Sequence, residues 1–161
     1  MIQVKALLVN AKRAFLIAQI KLMGGIELIV LYTSVDSSSC RKARQWFHQH
    51  KIAVCEHNIS IEGITIDRLI KIMQRTENGT KDIVSTRSHS YKKLPVPIDE
   101  LTFNAFLRLI CRNPALLKTP IIVSDDCIQI GFNQDAIRRF IPHKVRQLEI
   151  MDFEQRLKVV K

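Results

Sequence analysis

The stretch that most constrains the fold is the apolar run IELIVLY at residues 26–32, which leads directly into the serine-rich turn TSVDSSSC. A short run of branched apolar residues is typical of a strand that is buried on both faces of a sheet. Ser37, Ser38 and Ser39 can each cap a helix, because a hydroxyl oxygen accepts a hydrogen bond from a free backbone N–H. The sequence therefore predicts a buried strand, a tight turn and a helix that ends near residue 50.

The rest of the chain continues this alternation. The segment AVCEHNI at residues 53–59 alternates as a second strand. Residues 66–75 and 99–112 have apolar positions at helical spacing, and PIIVSDDCIQIGF then predicts a hairpin with Asp125 and Asp126 at its turn. A capped helix in NQDAIRRFI closes the pattern. The order β-α-β, helices, β-β-α predicts an α/β protein with a thioredoxin-like mixed sheet and an inserted helical subdomain.

The predicted organisation is a central domain at residues 26–146, flanked by an N-terminal extension and a C-terminal tail. The apolar runs of the extension are interrupted by Lys12, Arg13 and Lys21, so they are too short to span a membrane. Either a start codon assigned too far upstream or an amphipathic helix explains this extension. The proposed limits are an extension at 1–25, core segments at 26–59 and 118–146, a helical insert at 60–117 and a tail at 147–161.

The charge and the cysteine pattern limit the classes of function. The 161-residue chain has a formal charge of +10, which favours an acidic partner, either nucleic acid or a protein that is bound to it. A solvated basic surface without such a partner is the alternative, and the sequence has no RNP-like motif for reading bases directly. The four cysteines are scattered and lack the spacing of zinc ligands. We therefore expect reduced thiols in a cytoplasmic protein with no metal and no other cofactor.

Four blocks of the sequence together resemble one known family. They are LYTSVDSSSCRKARQWF, RTENGTKDIVSTRS, TPIIV and IQIGFNQDAIRRFIPHKVR. They resemble the Spx family of bacterial regulators that bind RNA polymerase, within the ArsC-like superfamily of arsenate reductases. The resemblance runs from about Glu27 to Arg146. It implies a cytoplasmic, non-enzymatic regulator of transcription in a stress response, whose partner is the C-terminal domain of the RNA polymerase α subunit.

The resemblance also implies two further partners. Promoter DNA would be contacted within the polymerase complex, and a protease adaptor would recognise the C-terminal tail. The tail ends in EQRLKVVK, with a lysine where such a degradation signal usually has a small apolar ending. The alternative to an adaptor-binding signal is therefore a frayed basic tail.

Two positions depart from the family pattern. Spx proteins usually carry a C-x-x-C redox switch, whose first cysteine falls on Ser37 and whose second is Cys40. The family also tends to carry an arginine at the position of Thr119. Because a hydroxyl cannot form a disulfide, the resemblance predicts that the local switch is missing. We also predict a cis Thr119–Pro120 peptide bond, which is common where this proline opens a strand of a thioredoxin-like fold.

An arsenate reductase-like thiol oxidoreductase is the alternative function. The resemblance places the attacking cysteine of such enzymes at Ser37 and leaves Arg41 and Arg87 as candidates for an oxyanion site. Ser37 without a neighbouring base is a poor nucleophile, so we expect no enzymatic activity and no catalytic residue. Arg87 lies either at the polymerase contact or in a structural ion pair with the loop near Cys40, and we favour the ion pair.

Cys40 has two interpretations. At the first turn of a helix beside Arg41 and Lys42, its thiolate would be stabilised by the helix dipole and by positive charge, which makes it a redox candidate. The alternative is a small structural residue at a capped turn. The remaining cysteines lie in apolar patterns and are predicted to be buried: Cys55, Cys111 and Cys127.

Gly79 lies in the block QRTENGTKDIV, where it is predicted to end a helical turn in a left-handed conformation. From the local sequence it is either a helix C-cap alone or a point where another backbone approaches closely. The resemblance implies the second, with Gly79 at the contact with the C-terminal domain of the polymerase α subunit. Gln74, Arg75 and Thr80 would flank it in that contact.

Overall fold

A computed structural model describes residues 28–142 and residue 146 of the chain. The predicted extension at 1–25 and the predicted tail at 147–161, with its expected adaptor signal, lie outside the described residues. Ile29–Phe140 form one compact unit. The division of the central domain into core segments and an insert remains a prediction.

Four strands form one mixed sheet: β1 (Ile29–Thr33), β2 (Val54–Asn58), β3 (Ile121–Val123) and β4 (Ile128–Ile130). Their order is β2-β1-β3-β4, with β1 parallel to β2 and the other two pairs antiparallel. The predicted hairpin is confirmed, since Asp125 and Asp126 lie in the turn between β3 and β4. Because β1, β2 and β4 end where β3 begins, the loops that follow β1 and precede β3 are neighbours at one edge of the sheet.

The first helix, α1 (Ser38–Gln49), joins β1 to the parallel strand β2. Of the three predicted candidates, Ser37 is its N-cap, and the Ser37 Oγ accepts a hydrogen bond from the backbone N–H of Cys40 at 3.3 Å. Arg44 of α1 donates from Nε to Glu56 Oε1 of β2 at 2.7 Å. Since the side chain of Glu56 also accepts from Thr33 Oγ1 at 2.6 Å, α1 lies on the sheet face that contains Thr33 and Glu56.

The described chain between β2 and β3 is mostly helical, as predicted. It contains the helices α2 (Ile59–Glu62), α3 (Ile66–Met73), α4 (Thr80–Ile83), α5 (His89–Lys92) and α6 (Phe103–Arg112). Short 3-10 helices at Ile98–Glu100 and Pro114–Leu116 flank α6. The prediction of a single helix at 99–112 is wrong about where the helix begins. The helix α6 starts at Phe103, because Thr102 caps it by accepting the N–H of Ala105 at 3.3 Å.

The hydrophobic core covers both faces of the sheet. Side chains alternate along a strand, so Ile29, Leu31 and Thr33 of β1 face α1, while Val30 and Tyr32 face the other way. Tyr32 joins a cluster of buried side chains from the helical segment, which includes Ile59, Leu69, Ile72, Ile83, Phe106, Ile110 and Leu116. Each such apolar side chain contributes about 1.5–3 kcal/mol on burial, so this cluster fixes the positions of the helices.

The segment predicted as the closing α-helix forms a 3-10 helix at Ala136–Phe140 instead. The predicted cap is present, since Asn133 Oδ1 accepts the N–H groups of Asp135 and Ala136 at 2.9 Å each. The backbone N–H of Arg138 donates to the carbonyl of Asp135 at 3.3 Å, a bond between residues three apart that is the pattern of a 3-10 helix. The ring of its last residue lies edge-on to Phe47 of α1, with centroids 6.3 Å apart, so this helix covers the same sheet face as α1.

Candidate functional site

The loop at residues 34–37 lies at the sheet edge between the end of β1 and the start of α1. Ser34 Oγ lies 2.6 Å from Thr119 Oγ1, and the two hydroxyls share a hydrogen bond. The Thr119–Pro120 peptide bond is cis, which confirms the prediction. The two positions that depart from the family pattern, Ser37 and Thr119, therefore belong to adjoining parts of one edge.

Ser37 serves this edge as a helix cap. Its hydroxyl accepts the N–H of Cys40, and its carbonyl accepts the N–H of Arg41 at 3.1 Å. Within the described part of the chain, no carboxylate or imidazole makes a hydrogen bond to the Ser37 hydroxyl that would activate it. The arrangement fits a capping residue and not an activated nucleophile.

Cys40 is fully buried, with 0% of its surface exposed, on the face of α1 that meets the sheet. Burial favours the structural interpretation of this thiol, and its redox role remains a prediction. The prediction for the other cysteines is wrong, because Cys55, Cys111 and Cys127 are only half-buried. Burial nevertheless raises the pKa of the Cys111 thiol. Cys127 lies in the hairpin turn, where its Sγ is 3.2 Å from Ser124 Oγ.

Arg41 and Arg87, the candidates for an oxyanion site, are both exposed. Among the residues that the structure describes, neither guanidinium forms an ion pair. The favoured ion pair between Arg87 and the loop near Cys40 is therefore not formed, because Arg87 lies in an exposed turn before α5. No contact joins the two arginines into one anion site within the described ranges.

The residues predicted to meet the polymerase lie in one turn, residues 74–80, which we call the Gly79 turn. Gln74 is exposed and caps the end of α3, and Thr80 is the first residue of α4. Thr76 Oγ1 donates to the carbonyl of Met73 at 2.7 Å and begins the turn. The hydrogen bonds of Thr76 and of Asn78 together fix the conformation of the turn.

Hydrogen bonds between Asn78 and Asp82 connect the Gly79 turn to α4. The Asn78 backbone N–H donates to Asp82 Oδ2 at 2.8 Å, and the Asn78 side chain donates to Asp82 Oδ1 at 3.1 Å. These hydrogen bonds, led by the one from the backbone, lower the pKa of the Asp82 carboxyl. The carboxylate of Asp82 is thus part of the structure of the turn.

Gly79 itself adopts φ +58° and ψ −121° and is the N-cap of α4. The predicted positive φ is confirmed, but the predicted place at a helix end is wrong, because α3 has already ended at Met73. A Cβ added at Gly79 would meet nothing within 4 Å. The position is open to an approaching backbone, although its conformation is strained for any residue except glycine.

Arg75 contacts this chain's own hairpin. Its Nη1 donates to the backbone carbonyl of Ser124, in the turn between β3 and β4. It also lines an open cavity of about 490 Å³ together with Lys118, Arg139 and Cys127. The sequence could not indicate this contact, because Arg75 and Ser124 lie far apart along the chain.

Lys118 connects the loop 34–37 to the helix that follows the Gly79 turn. The sequence analysis did not identify this residue. Its backbone N–H donates to the carbonyl of Ile83 at 2.8 Å, and its Nζ donates to the carbonyl of Lys81 at 3.1 Å. It is followed by Thr119, which contacts Ser34. The loop 34–37 and helix α4, which follows the Gly79 turn, are therefore joined by contacts of the consecutive residues Lys118 and Thr119.

His57 forms a second polar group near the same edge. This side chain is 7% exposed, and its ring nitrogens contact Glu62 Oε2 at 2.8 Å and the Gly63 carbonyl at 3.0 Å. Tyr32 lies edge-on to the imidazole, and burial raises the pKa of the Tyr32 hydroxyl against a smaller opposing effect of Arg68. These contacts hold the start of the helical segment against β2.

The described ranges, 28–142 and 146, contain no cluster of three or more His, Cys, Asp or Glu side chains that could hold a metal ion. None of the helices in those ranges is both long enough and apolar enough to cross a membrane.

Sequence comparisons with known proteins show which family the chain belongs to. The family model of the ArsC family matches residues 32–140. The chain is 47% identical over 124 residues to the global transcriptional regulator Spx 1 of Lactococcus lactis, a match that covers 77% of this chain and 97% of the relative. The chain belongs to the Spx family, within the ArsC family. The global transcriptional regulator Spx of Staphylococcus epidermidis is 44% identical over 128 residues, which cover 80% of this chain and 98% of that Spx protein.

Solved structures show the fold of this Spx protein. The YffB protein superimposes with a TM-score of 0.61 at 24% identity and covers 69% of this chain and 96% of its own. An arsenate reductase from Vibrio cholerae superimposes with a TM-score of 0.60 at 18% identity and covers 66% of this chain and 92% of its own. At these identities the likeness establishes the thioredoxin-like ArsC fold alone, which confirms the predicted fold class.

Proposed function

We propose that this Spx protein is a cytoplasmic, non-enzymatic regulator of transcription that binds the C-terminal domain of the RNA polymerase α subunit. The relatives at 44–47% identity are named global transcriptional regulators, which supports the general function. In this proposal the protein acts in a stress response and contacts promoter DNA only within the polymerase complex. The formal charge of +10 is compatible with that location. A protease adaptor that controls its abundance completes the proposal.

The observation that carries the polymerase contact is the open backbone at Gly79. A Cβ added at Gly79 would have no neighbour within 4 Å, so the described chain leaves the side-chain direction of this half-buried residue open. A partner backbone can approach closely only where no side chain intervenes. Gln74 and Thr80 would flank Gly79 in this contact, and the exposed Arg75 is held in place by its bond to the Ser124 carbonyl.

The loop 34–37 extends this proposed surface. Lys118 and Thr119 join the loop to α4, so the partner would meet a continuous surface from Ser34 to Gly79. Since Ser37 caps α1 and Cys40 is buried, this surface needs no local disulfide to adopt its shape. Binding is therefore proposed to be independent of oxidation.

The alternative of an arsenate reductase-like oxidoreductase has weaker support. The ArsC fold includes reductases, as the structure from Vibrio cholerae illustrates. Such chemistry requires an exposed attacking thiolate, whereas Ser37 holds that position and Cys40 is fully buried. A reductase assay that shows no thiol-dependent reduction of arsenate would agree with the proposal.

The variant Gly79→Arg tests the polymerase contact. We expect it to abolish binding to the C-terminal domain of the polymerase α subunit, because an arginine side chain would fill the open approach to the backbone. The positive φ of Gly79 adds a strain of about 1–3 kcal/mol for any other residue, so some loss of stability accompanies the variant. Binding is measured by calorimetry and stability by urea denaturation.

Gly79→Ala is the matched control, because it introduces the same backbone strain without the long side chain. It should lose stability to a similar degree and keep most of its affinity. If Gly79→Arg binds as well as Gly79→Ala does, the proposed contact is wrong. Equal loss of binding in both variants, in step with loss of fold, would assign Gly79 a purely structural role.

A further inference from the structure

A groove on the helical segment is separate from the loop 34–37 and the Gly79 turn. It has a volume of about 370 Å³ and lies between α6 and the loop that follows α5. Its apolar lining includes Leu94, Val96 and Leu101 from the chain before α6 and Leu109 from α6 itself. Val96 is 40% exposed, and Leu94, Leu101 and Leu109 pack against the hydrophobic core. The groove is an exposed apolar surface continuous with the interior.

Two arginines, Arg108 and Arg112, line the same groove. They are four residues apart on α6, which places them one turn apart on one side of the helix. Both are exposed, and neither forms a side-chain hydrogen bond or an ion pair with any residue that the structure describes. Two like charges at this spacing repel each other, so an anion bound between them would relieve the repulsion.

The acidic residues nearest to the groove in sequence do not neutralise it. Asp99 and Glu100 precede Leu101, but neither lines the groove. Asp99 lines a separate cavity together with Lys81. The side chains that line the groove are thus either apolar or positively charged.

We propose that this groove binds an amphiphilic carboxylate, with a medium-chain fatty acid as its simplest form. The chain would lie against Leu94, Val96 and Leu101, and the carboxylate would accept hydrogen bonds from Arg108 and Arg112. Sites for small molecules are typically grooves of this size with apolar walls and few polar groups, which here converge from one helix. Guanidinium groups match the two oxygens of a carboxylate particularly well.

The test is a titration of the full-length protein with decanoate below its micelle concentration, followed by calorimetry and by amide chemical shifts. Saturable binding at one site, with shifts that centre on α6 and the loop after α5, is expected. Acetate lacks the chain and decanol lacks the charge, so each should bind at least about tenfold more weakly. The double variant Arg108→Gln and Arg112→Gln should lose about tenfold in affinity for decanoate.

The control is the double variant Lys42→Gln and Arg138→Gln, which removes the same charge from exposed cations of α1 and of the 3-10 helix at Ala136–Phe140. Its affinity for decanoate should be unchanged. Absence of saturable binding, or an equal loss in both double variants, would overturn the proposal. If decanoate fails while a capped peptide of alternating leucine and aspartate binds the groove, the occupant is a protein segment and the fatty-acid proposal is wrong.

Discussion

Ser37 and Cys40, the positions at which the resemblance places a dithiol switch, make structural contacts in this protein. The Ser37 hydroxyl satisfies the N–H of Cys40, and such a cap typically stabilises a protein by about 1 kcal/mol. Cys40 fills space between α1 and the sheet, where no solvent reaches its thiol. Neither task depends on the oxidation state of the protein.

Alkylation of the native protein with iodoacetamide should follow the exposure of the four thiols. Cys55 and Cys127 are half-buried and should react first. Cys111 should react more slowly, because its raised pKa leaves less thiolate at neutral pH. Cys40 should react only after unfolding. Peptide mass spectrometry over time measures this order, and early labelling of Cys40 would contradict its structural role.

At the scale of elements, the Gly79 turn depends on the hydrogen bonds that Asn78 gives to Asp82. These bonds lower the pKa of Asp82 in the folded state relative to the unfolded state. Their stabilisation is therefore present above the pKa of an unfolded aspartate and is lost as the pH falls through the folded-state pKa. The turn should loosen under acidic conditions before the core unfolds.

A carboxyl carbon NMR titration tests this coupling directly. The Asp82 carboxyl should titrate below the range of an ordinary aspartate, and Asn78→Ala should raise its pKa, since the side-chain donor is removed while the backbone donor remains. Gln74→Ala, on the same turn, should leave the titration unchanged. An Asp82 that titrates like a free aspartate in the native protein would disprove the proposed role of these bonds.

Most elements could be predicted because their signals are local. The apolar run of β1, the serine cap of α1 and the aspartates of the hairpin each specify structure within a few residues. The burial of the cysteines could not be predicted in this way. Cys40 is buried because it lies on the face of α1 that packs against the sheet, and Cys127 is only half-buried because it lies in the hairpin turn. The contact of Arg75 with Ser124 likewise depends on tertiary packing.

At the scale of the whole molecule, residues from Ile29 to Phe140 form one compact unit with the sheet at its centre. Trp46 lies on the sheet face covered by α1, whereas Leu69 of α3 is buried in the cluster around Tyr32 on the opposite face. Because the two faces share the same strands, unfolding of one should unfold the other.

Leu69→Ala should lower the free energy of unfolding by about 2–5 kcal/mol, since it leaves a cavity in the buried cluster. The fluorescence of Trp46, the only tryptophan in the chain, should report the loss at the same urea concentration as circular dichroism. The control Ile61→Ala changes a side chain that is 76% exposed and should shift stability by less than about 0.5 kcal/mol. Separate transitions from the two probes would show that the faces unfold independently.

The central claim is that the proposed polymerase binding does not depend on a disulfide near Ser37, because the buried Cys40 is the only thiol in the loop 34–37 and the first turn of α1. The most direct measurement is the affinity of the wild type and of Cys40→Ser for the C-terminal domain of the polymerase α subunit, each first reduced and then treated with diamide. The account predicts the same affinity in all four samples, within the error of the measurement. A large gain on oxidation of the wild type that is absent in Cys40→Ser would contradict it and would make Cys40 a one-thiol sensor.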